Sequence, residues 1–363
     1  MAKLRGTGTL NIRIVAKEAG VSQATVSRAF SQPDMLAPAT VEKVLETARL
    51  LGYVPNQVAR ALSTGRSGNV ALILPDVTNP FFSALMRGAQ AAAHKRGYAT
   101  FLGDTDETAA LENLLLTKLA VQVDGFVLAS PRQNEESIRK HAARRPLVVI
   151  NRDLEGIARV LVDTAGGFSD AVKLLADLGH KTLAYVGAPR GSWSNQQRAA
   201  AVESAGAALG LQVFQVDAVR PSHQAGQDCV DQVLAAGATA ALAVDDAVAQ
   251  GMIAGLANRG LSVPEDFSVV GCDDVIATTT YPQLTTVNAH CALAGRQAVD
   301  LLLDSLLATG QPGGSLVLVG ELIVRGTTGA APSHRKADRI GRRKTAEVGL
   351  TAPPLVSPTR KSK

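Results

Sequence analysis

Aromatic residues make up 4% of this 363-residue chain, and cysteine occurs three times. So little aromatic surface argues against an aromatic-rich β-sandwich and suits alanine-lined helices packed on a sheet. Cys229, Cys272 and Cys291 are odd in number, widely spaced and without a Cys-x-x-Cys pair. That excludes a disulfide framework and leaves reduced, buried thiols in a cytoplasmic protein as the expectation. No apolar run of about 18 residues occurs, so no membrane span is expected. The opening "MAKLRGTGTLNIR" lacks the apolar core of a secretory signal. Catalytic motifs are missing too: there is no G-x-S-x-G elbow, no G-x-x-x-x-G-K-S/T loop and no H-E-x-x-H. The glycines of "GTGTLN" follow no strand. The histidines show no metal spacing, and His94 and His180, near helix ends, read as surface residues. Neither a cofactor nor a metal is expected.

What charge there is lies unevenly. Residues 1–66 carry nine Lys/Arg against four Asp/Glu, and residues 331–363 carry nine against two. The stretch between holds 19 against 26 and is acidic. A basic head on an acidic body fits a front end that meets a polyanion.

At that front end Ile12, Ile14, Val15 and Ala19 give a first helix one apolar face over about 12–19. Gly20 permits a tight turn, and Ser22 stands where an N-cap would satisfy the next helix's amides. In "QATVSRAF", Val26, Ala29 and Phe30 face inward, while Gln23, Ala24, Ser27 and Arg28 face outward. After the loop at Pro33-Asp34, Pro38 opens a third helix through Val41, Val44, Leu45 and Ala48, which Gly52 ends. Two short helices about a glycine turn, braced by a third, form a helix-turn-helix whose second helix enters a DNA major groove. The next segment, "YVPNQVARALSTGR", starts a helix at Pro55-Asn56 that has room for only about eight residues. Such a helix is marginal alone. It suggests a hinge ordered by a dimer mate and DNA, with small Ala61 beside Leu62, the residue placed to wedge between minor-groove base steps.

From Asn69 the rhythm becomes apolar runs alternating with helices: "VALIL", "YATFLG", "GFVLA" and "LVVI", then "LAYVG", "LQVFQV", "AALAV" and "FSVVG". Val70 and Leu183 lie 113 positions apart, as do Gly97 and Gly210. That constant offset implies two similar lobes, each a doubly wound parallel βαβ sheet, with the ligand cleft between them. The strand ends carry turn residues with carboxylates, amides, hydroxyls or guanidinium groups. Examples are "LPDVTNPFF", "NRD" at 151–153, "GSWSNQQR", "VDD" and "GCDD". Arg198 donating and Asp273 accepting would span a polyol, against an apolar wall from Phe81, Phe82 or Trp193. One of the two phenylalanines is expected to anchor a helix instead.

"IRIVAKEAGVSQATVSRAF", "LGYVPNQVARALSTGR", "VALILPDVTNPFF", "LLADLGHKTLAYVG" and "GLSVPEDFSVVGCDD" together resemble the lactose-repressor (LacI/GalR) family of bacterial transcription regulators. The resemblance runs in order from about residue 10 to Gly329. It implies an α/β protein: an N-terminal helix-turn-helix plus a two-lobed, periplasmic-binding-protein-like effector domain. The expected domains are a disordered 1–9, the helix-turn-helix at 10–54, the hinge at 55–66 and the effector domain at 67–330. Lobe 1 takes about 67–161 plus 290–320, and lobe 2 about 162–289 plus 321–330. A basic tail at 331–363, without apolar periodicity or leucine heptads, is expected to be disordered and the assembly a dimer.

By position the resemblance makes Gln23, Ala24 and Arg28 base readers within a DNA contact set of Ser22, Gln23, Ala24, Thr25, Ser27, Arg28, Asn56, Ala61 and Leu62. Gln pairs with adenine and Arg with guanine, whereas Ala24 offers only a methyl contact. Ala37 and Val41 depart from the family's usual serine cap and arginine. Asp76, Ser194, Arg198, Asp245 and Asp273 are implied to line the effector pocket, with Asp153 beside them. Most relatives have Asn where Asp245 stands, and a carboxylate there disfavours an anionic ligand. The expectation is therefore a homodimeric repressor of a near-palindromic double-stranded operator, controlled by a neutral sugar or polyol. A transport solute-binding protein is the rival reading, which residues 10–66 oppose. A sugar-acting α/β enzyme is the other, opposed by the missing nucleophile and phosphate motifs.

Overall fold

Asn11 starts the first helix: its side-chain oxygen accepts from the Arg13 and Ile14 amides at 3.0 and 3.3 Å, two donors the helix itself leaves unpaired. In this computed structural model, which describes residues 11–54, 65–188, 191–218, 220–307 and 314–333, the chain divides into two units at Gly68. The first unit is three helices. Helix α1 (Ile12–Ala19) stops at Gly20, whose φ of 66° suits glycine. Ser22 caps α2 (Gln23–Ser31), its Oγ accepting from Thr25 N at 3.0 Å. Helix α3 (Pro38–Leu51) begins at Ala37 without a side-chain cap and ends at left-handed Gly52. Val15, Ala16, Ala19, Val26, Ala29, Val44 and Ala48 form the core, with Phe30 tilted on Tyr53 at 6.0 Å. Two residues expected inside are not. Ile14 is 37% and Leu45 41% exposed. The helical set 12, 15, 16, 19 excludes position 14, and in α3 the buried stripe through Val44 and Ala48 leaves Leu45 on its margin.

The second unit contains two parallel sheets. In chain order its elements begin β1 (Asn69–Leu74), α4 (Pro80–Lys95), β2 (Ala99–Asp104), α5 (Ala109–Leu119) and β3 (Gly125–Ala129). There follow α6 (Glu135–Ala142), β4 (Leu147–Ile150), β5 (Ala158–Asp163), α7 (Ala165–Asp177), β6 (Thr182–Gly187) and α8 (Trp193–Ala208). Next come β7 (Gln212–Asp217), α9 (His223–Ala235), β8 (Ala240–Ala243), α10 (Asp246–Ala257), β9 (Ser268–Asp273) and β10 (Thr285–Asn288). Helix α11 (Cys291–Leu307), β11 (Ser315–Val319) and β12 (Glu321–Ile323) complete it. One sheet has the order β11-β5-β4-β3-β1-β2 and the other β12-β10-β9-β8-β6-β7. All pairings are parallel except β10–β12. The central strands β3, β4, β8 and β9 are buried along their whole length, as strands covered by helices on both faces must be. The 113-residue offset relates β1 to β6, α4 to α8 and β2 to β7 end for end.

Three crossings join the lobes: after β5, after β10, and between β11 and β12. They run against one another. Gly320 N donates to Asp163 O at 2.7 Å, and a Cβ on Gly320 would meet Asn288 O at 2.7 Å and Thr164 Cγ2 at 2.9 Å. Only glycine lets the third crossing lie beside the other two.

His180 contradicts its surface expectation. It is 1% exposed, with Nδ1 2.8 Å from Thr239 Oγ1 and Nε2 near Ser268 Oγ and Gly329 O. A residue just past a helix end faces the core here because that end abuts β8, β9 and the C-terminal segment. The ordered body also continues past residue 330, since Ala331 N donates to Leu178 O at 2.8 Å. Residues 334–363 of the tail lie outside the described residues.

Candidate functional site

Helix α2 buries Val26 and Ala29 and leaves Gln23, Ala24, Ser27 and Arg28 exposed along its other side. Ser22 and Thr25 hold its start, their hydroxyls 2.8 Å apart. A short polar helix locked by a three-helix core, with an amide, a hydroxyl and a guanidinium pointing outward, is suited to reading base edges. Asn56, Ala61 and Leu62 lie outside the described residues.

In the second unit a small cavity of about 60 Å³, open to solvent, lies between the lobes at the carboxyl ends of the strands. Asn79, Phe81, Phe82, Ser130, Arg132 and Asn151 line it from the first lobe. Ser192, Ser194, Arg198, Asp245 and Asp273 line it from the second. The two phenylalanines meet edge to face at 5.0 Å, and both line the cavity while packing into the core beneath their helix.

Arg198 is 5% exposed. Its Nε donates to Thr164 Oγ1 at 2.9 Å, its Nη1 to Val244 O at 2.5 Å, and its guanidinium lies 5.8 Å over the Phe168 ring. Asp273, the last residue of β9, has φ 112°, a conformation non-glycine residues rarely adopt. Burial pushes its carboxyl well above the ordinary value, with Arg198 opposing and Asp245 and Asp246 adding to the rise. Burial likewise raises Asp245, whose Oδ1 caps α10 through Val248 N at 2.8 Å and whose Oδ2 accepts from Asn79 Nδ2 of the other lobe at 2.9 Å. Among the described residues, two buried oxygens in this cavity have no hydrogen-bond partner: Asp273 Oδ1 and Ser194 Oγ. Unpaired buried polar atoms cost free energy.

Phe81, Ser194, Arg198, Asp245 and Asp273 thus come together, and three expected residues do not join them. Asp76 is turned aside: its Oδ1 accepts from Thr78 N and Oγ1, and its Oδ2 from Arg220. Asp153 is half exposed and pairs with Arg159 at 2.6 Å. Asn151, two residues earlier, takes the cavity position, because β4 ends at Ile150. Trp193, expected to offer an apolar wall, is the first residue of α8 and half-buried. Ser192 lines the cavity beside the expected Ser194, and Trp193 does not. Sequence reasoning missed Ser130 and Arg132, although "ASPR" follows β3 as a strand-end signal. Among the described residues no group of His, Cys, Asp and Glu could hold a metal, and no helix is long and apolar enough to cross a membrane.

A DNA-reading helix on one unit and a ligand cleft between paired α/β lobes on the other define a ligand-responsive DNA-binding regulator. The comparisons agree. Residues 11–56 match the family of bacterial regulatory proteins called the lacI family, and residues 172–328 match the periplasmic binding protein-like domain. The chain is 32% identical over 331 residues to the transcriptional repressor CytR of Escherichia coli K12, covering 88% of this chain and 96% of that one. It is 34% identical to catabolite control protein A of Priestia megaterium, over 81% and 92% of the two chains. Among solved structures, a lac repressor dimer bound to operator and an anti-inducer aligns with a TM-score of 0.79 at 26% identity, over 89% of this chain and all of that one. A CelR–cellobiose complex aligns at 0.65 and 28% identity, over 88% of this chain and all of that one. The chain belongs to the LacI family and is a DNA-binding transcription regulator.

Proposed function

We propose that this protein is a homodimeric repressor whose hold on a near-palindromic operator is set by a neutral sugar or polyol in the interlobe cleft. It works by binding, without turnover, in the cytoplasm. Gln23, Ala24, Ser27 and Arg28 read the half-site, and Phe81, Ser194, Arg198, Asp245 and Asp273 hold the effector. The observation that carries the effector class is the pair of buried oxygens without partners among the described residues, Asp273 Oδ1 and Ser194 Oγ, opposite an apolar wall. Hydroxyl groups satisfy such acceptors, and a ring face covers the phenylalanines. An anion would find the cavity's arginines already engaged, Arg132 with Glu107 and the Ser130 carbonyl and Arg198 with Thr164 and Val244.

Two relatives support the reading by what they hold: the CelR structure contains cellobiose, and a LacI family regulator from Enterococcus faecium, 28% identical over 72% of this chain, contains ribose. Calorimetry of the purified protein against neutral mono- and disaccharides, followed by band-shift on its own upstream DNA with and without the binder, tests the proposal. A neutral carbohydrate that binds and changes operator affinity is the expected result. A salt-sensitive shift that no neutral carbohydrate alters would overturn the effector class.

A further inference from the structure

Arg220, in the loop between β7 and α9, reaches across the mouth of the cleft into the opposite lobe. Its Nη2 and Nε donate to Asp76 Oδ2 at 3.0 and 3.3 Å, and its Nη1 to Asp106 Oδ1 at 2.6 Å. We propose that Arg220 is an interlobe clasp: a positioning residue that, by joining Asp76 and Asp106, holds the lobes closed before any ligand arrives.

The receiving side is shaped for this. Asp76 follows β1 and is fixed by Thr78, whose amide and hydroxyl donate to the oxygen Arg220 leaves free. Asp106 follows β2 with φ 47°, and Glu107 with φ 61°. Two successive non-glycine residues in the left-handed region need support, and Asp104 supplies it by accepting from Asp106 N at 2.9 Å. That turn aims Asp106 at Arg220, while Glu107 turns to Arg132. One guanidinium therefore ties together the ends of two strands of the first lobe from a loop of the second. Pro221, next in the chain, fixes the backbone dihedral after Arg220 and lines the cavity.

The clasp explains why Asp76 does not face the ligand space, since both its oxygens are engaged. It also separates two cross-lobe contacts by role. The bond from Asn79 to Asp245 joins residues that line the cavity, where an effector hydroxyl can replace it; the Arg220 clasp sits at the rim and leaves the cavity walls free. With Arg220 and Asp106 both well exposed, the clasp is screened by salt and reversible. A contact of this kind shifts a population between open and closed lobes without fixing it.

Its regulatory meaning rests on the cleft being the effector site, but the closure can be read without effector or DNA. Full-length protein carrying one donor and one acceptor dye on the two lobes is followed by energy transfer, ligand-free, from about 0.05 to 1 M salt. Wild type is expected to open as salt rises. Arg220→Gln and Asp106→Asn are expected to be already open at low salt, with at least a twofold larger open fraction and no salt response, and Arg220→Lys to recover part of the closure. Asp106 is exposed, so its amide variant should fold even if an Arg220 variant does not. Transfer efficiencies that match wild type at every salt, in Asp106→Asn or in a folded Arg220→Gln, would overturn the clasp. Band-shift on the same variants reports operator binding separately, so loss of the clasp and loss of the regulator reading cannot be confused.

Discussion

Arg198 Nη2 stands 3.9 Å from Asp273 Oδ1, near enough to share charge and too far to share a hydrogen. Arg198 spends its shorter bonds on Thr164 and Val244, one in the segment joining the lobes and one just past the end of β8. The guanidinium is thereby fixed, and the Asp273 Oδ1 opposite stays without a partner among the described residues. Burial works against the arginine's charge, but Cys272, Asp273, Tyr185 and Asp245 around it raise its pKa overall, so it stays a cation. The pair is held apart by the fold, leaving a gap that a ligand hydroxyl can bridge.

Asp273→Asn should therefore lower affinity for the effector at least tenfold, about 1.4 kcal/mol, while operator affinity without effector stays as in wild type. The amide keeps an oxygen but sets an N–H near a guanidinium that only donates. Calorimetry with the carbohydrate wild type binds, beside band-shift, measures both. Unchanged effector affinity would move the ligand away from this gap.

On the other unit, Arg28 is exposed on α2 with Gln23 and Ser27 on the same outward side. Arg28→Ala is expected to cost about 1–3 kcal/mol of operator affinity and to relax choice at one symmetric position of the half-site. Competition band-shifts with single-base operator variants report it. A uniform loss across all variants would instead make Arg28 a phosphate contact.

The fold was legible because its signals are periodic. Apolar runs marked nearly every central strand, and the 113-residue offset located the second lobe from the first, since β1, α4 and β2 recur intact as β6, α8 and β7. The site was legible only in part, for a local reason. Sequence places a residue at a strand end but not the direction of its side chain over the next two positions. Asn151 and Asp153 traded places on that account, and Ser192 took a place beside Ser194 that was expected of Trp193. Asp76 was lost to a partner 144 residues away, and His180 was buried by β8, β9 and Gly329. Contacts of that sequence separation leave no periodic trace.

Asp246 gives the stability a pH dependence whose sign can be stated. It accepts from Thr286 Oγ1 at 2.6 Å and from Val275 N at 3.0 Å, and burial pushes its pKa from 3.8 up to about 7. Between those values the folded protein keeps a proton that the unfolded chain has released. Its contribution is thus full below about 4 and is lost as pH rises through about 7, by a few kcal/mol at most. His180 slopes the other way, since burial lowers its pKa and its contribution is lost as pH falls below its ordinary 6.5. Denaturant unfolding of wild type and Asp246→Asn across pH 4.5 to 7.5 isolates the first effect: the stability difference should move in the variant's favour as pH rises. A difference that stays flat would place the carboxyl's pKa at its ordinary value.

Close helix packing supplies the last prediction. In the second lobe α9 and α10 cross at Gly226 and Gly251, where a Cβ would fall 2.1 Å from Val248 O and 1.9 Å from His223 O. In the first lobe α4 and α11 cross in the same manner at Gly88 and Gly295, at 1.9 Å from Ala292 O and 2.0 Å from Leu85 O. The obstacle each time is backbone, which cannot swing aside as a side chain can. Gly251→Ala and Gly88→Ala should each destabilise by about 1–3 kcal/mol or more, although alanine has the higher helix propensity. An exposed helical position is expected to show the opposite sign for the same exchange. Thermal unfolding at fixed protein concentration compares them. If either buried variant melts at or above the wild-type temperature, the helices can separate at small cost, and the lobes are softer bodies than their packing implies.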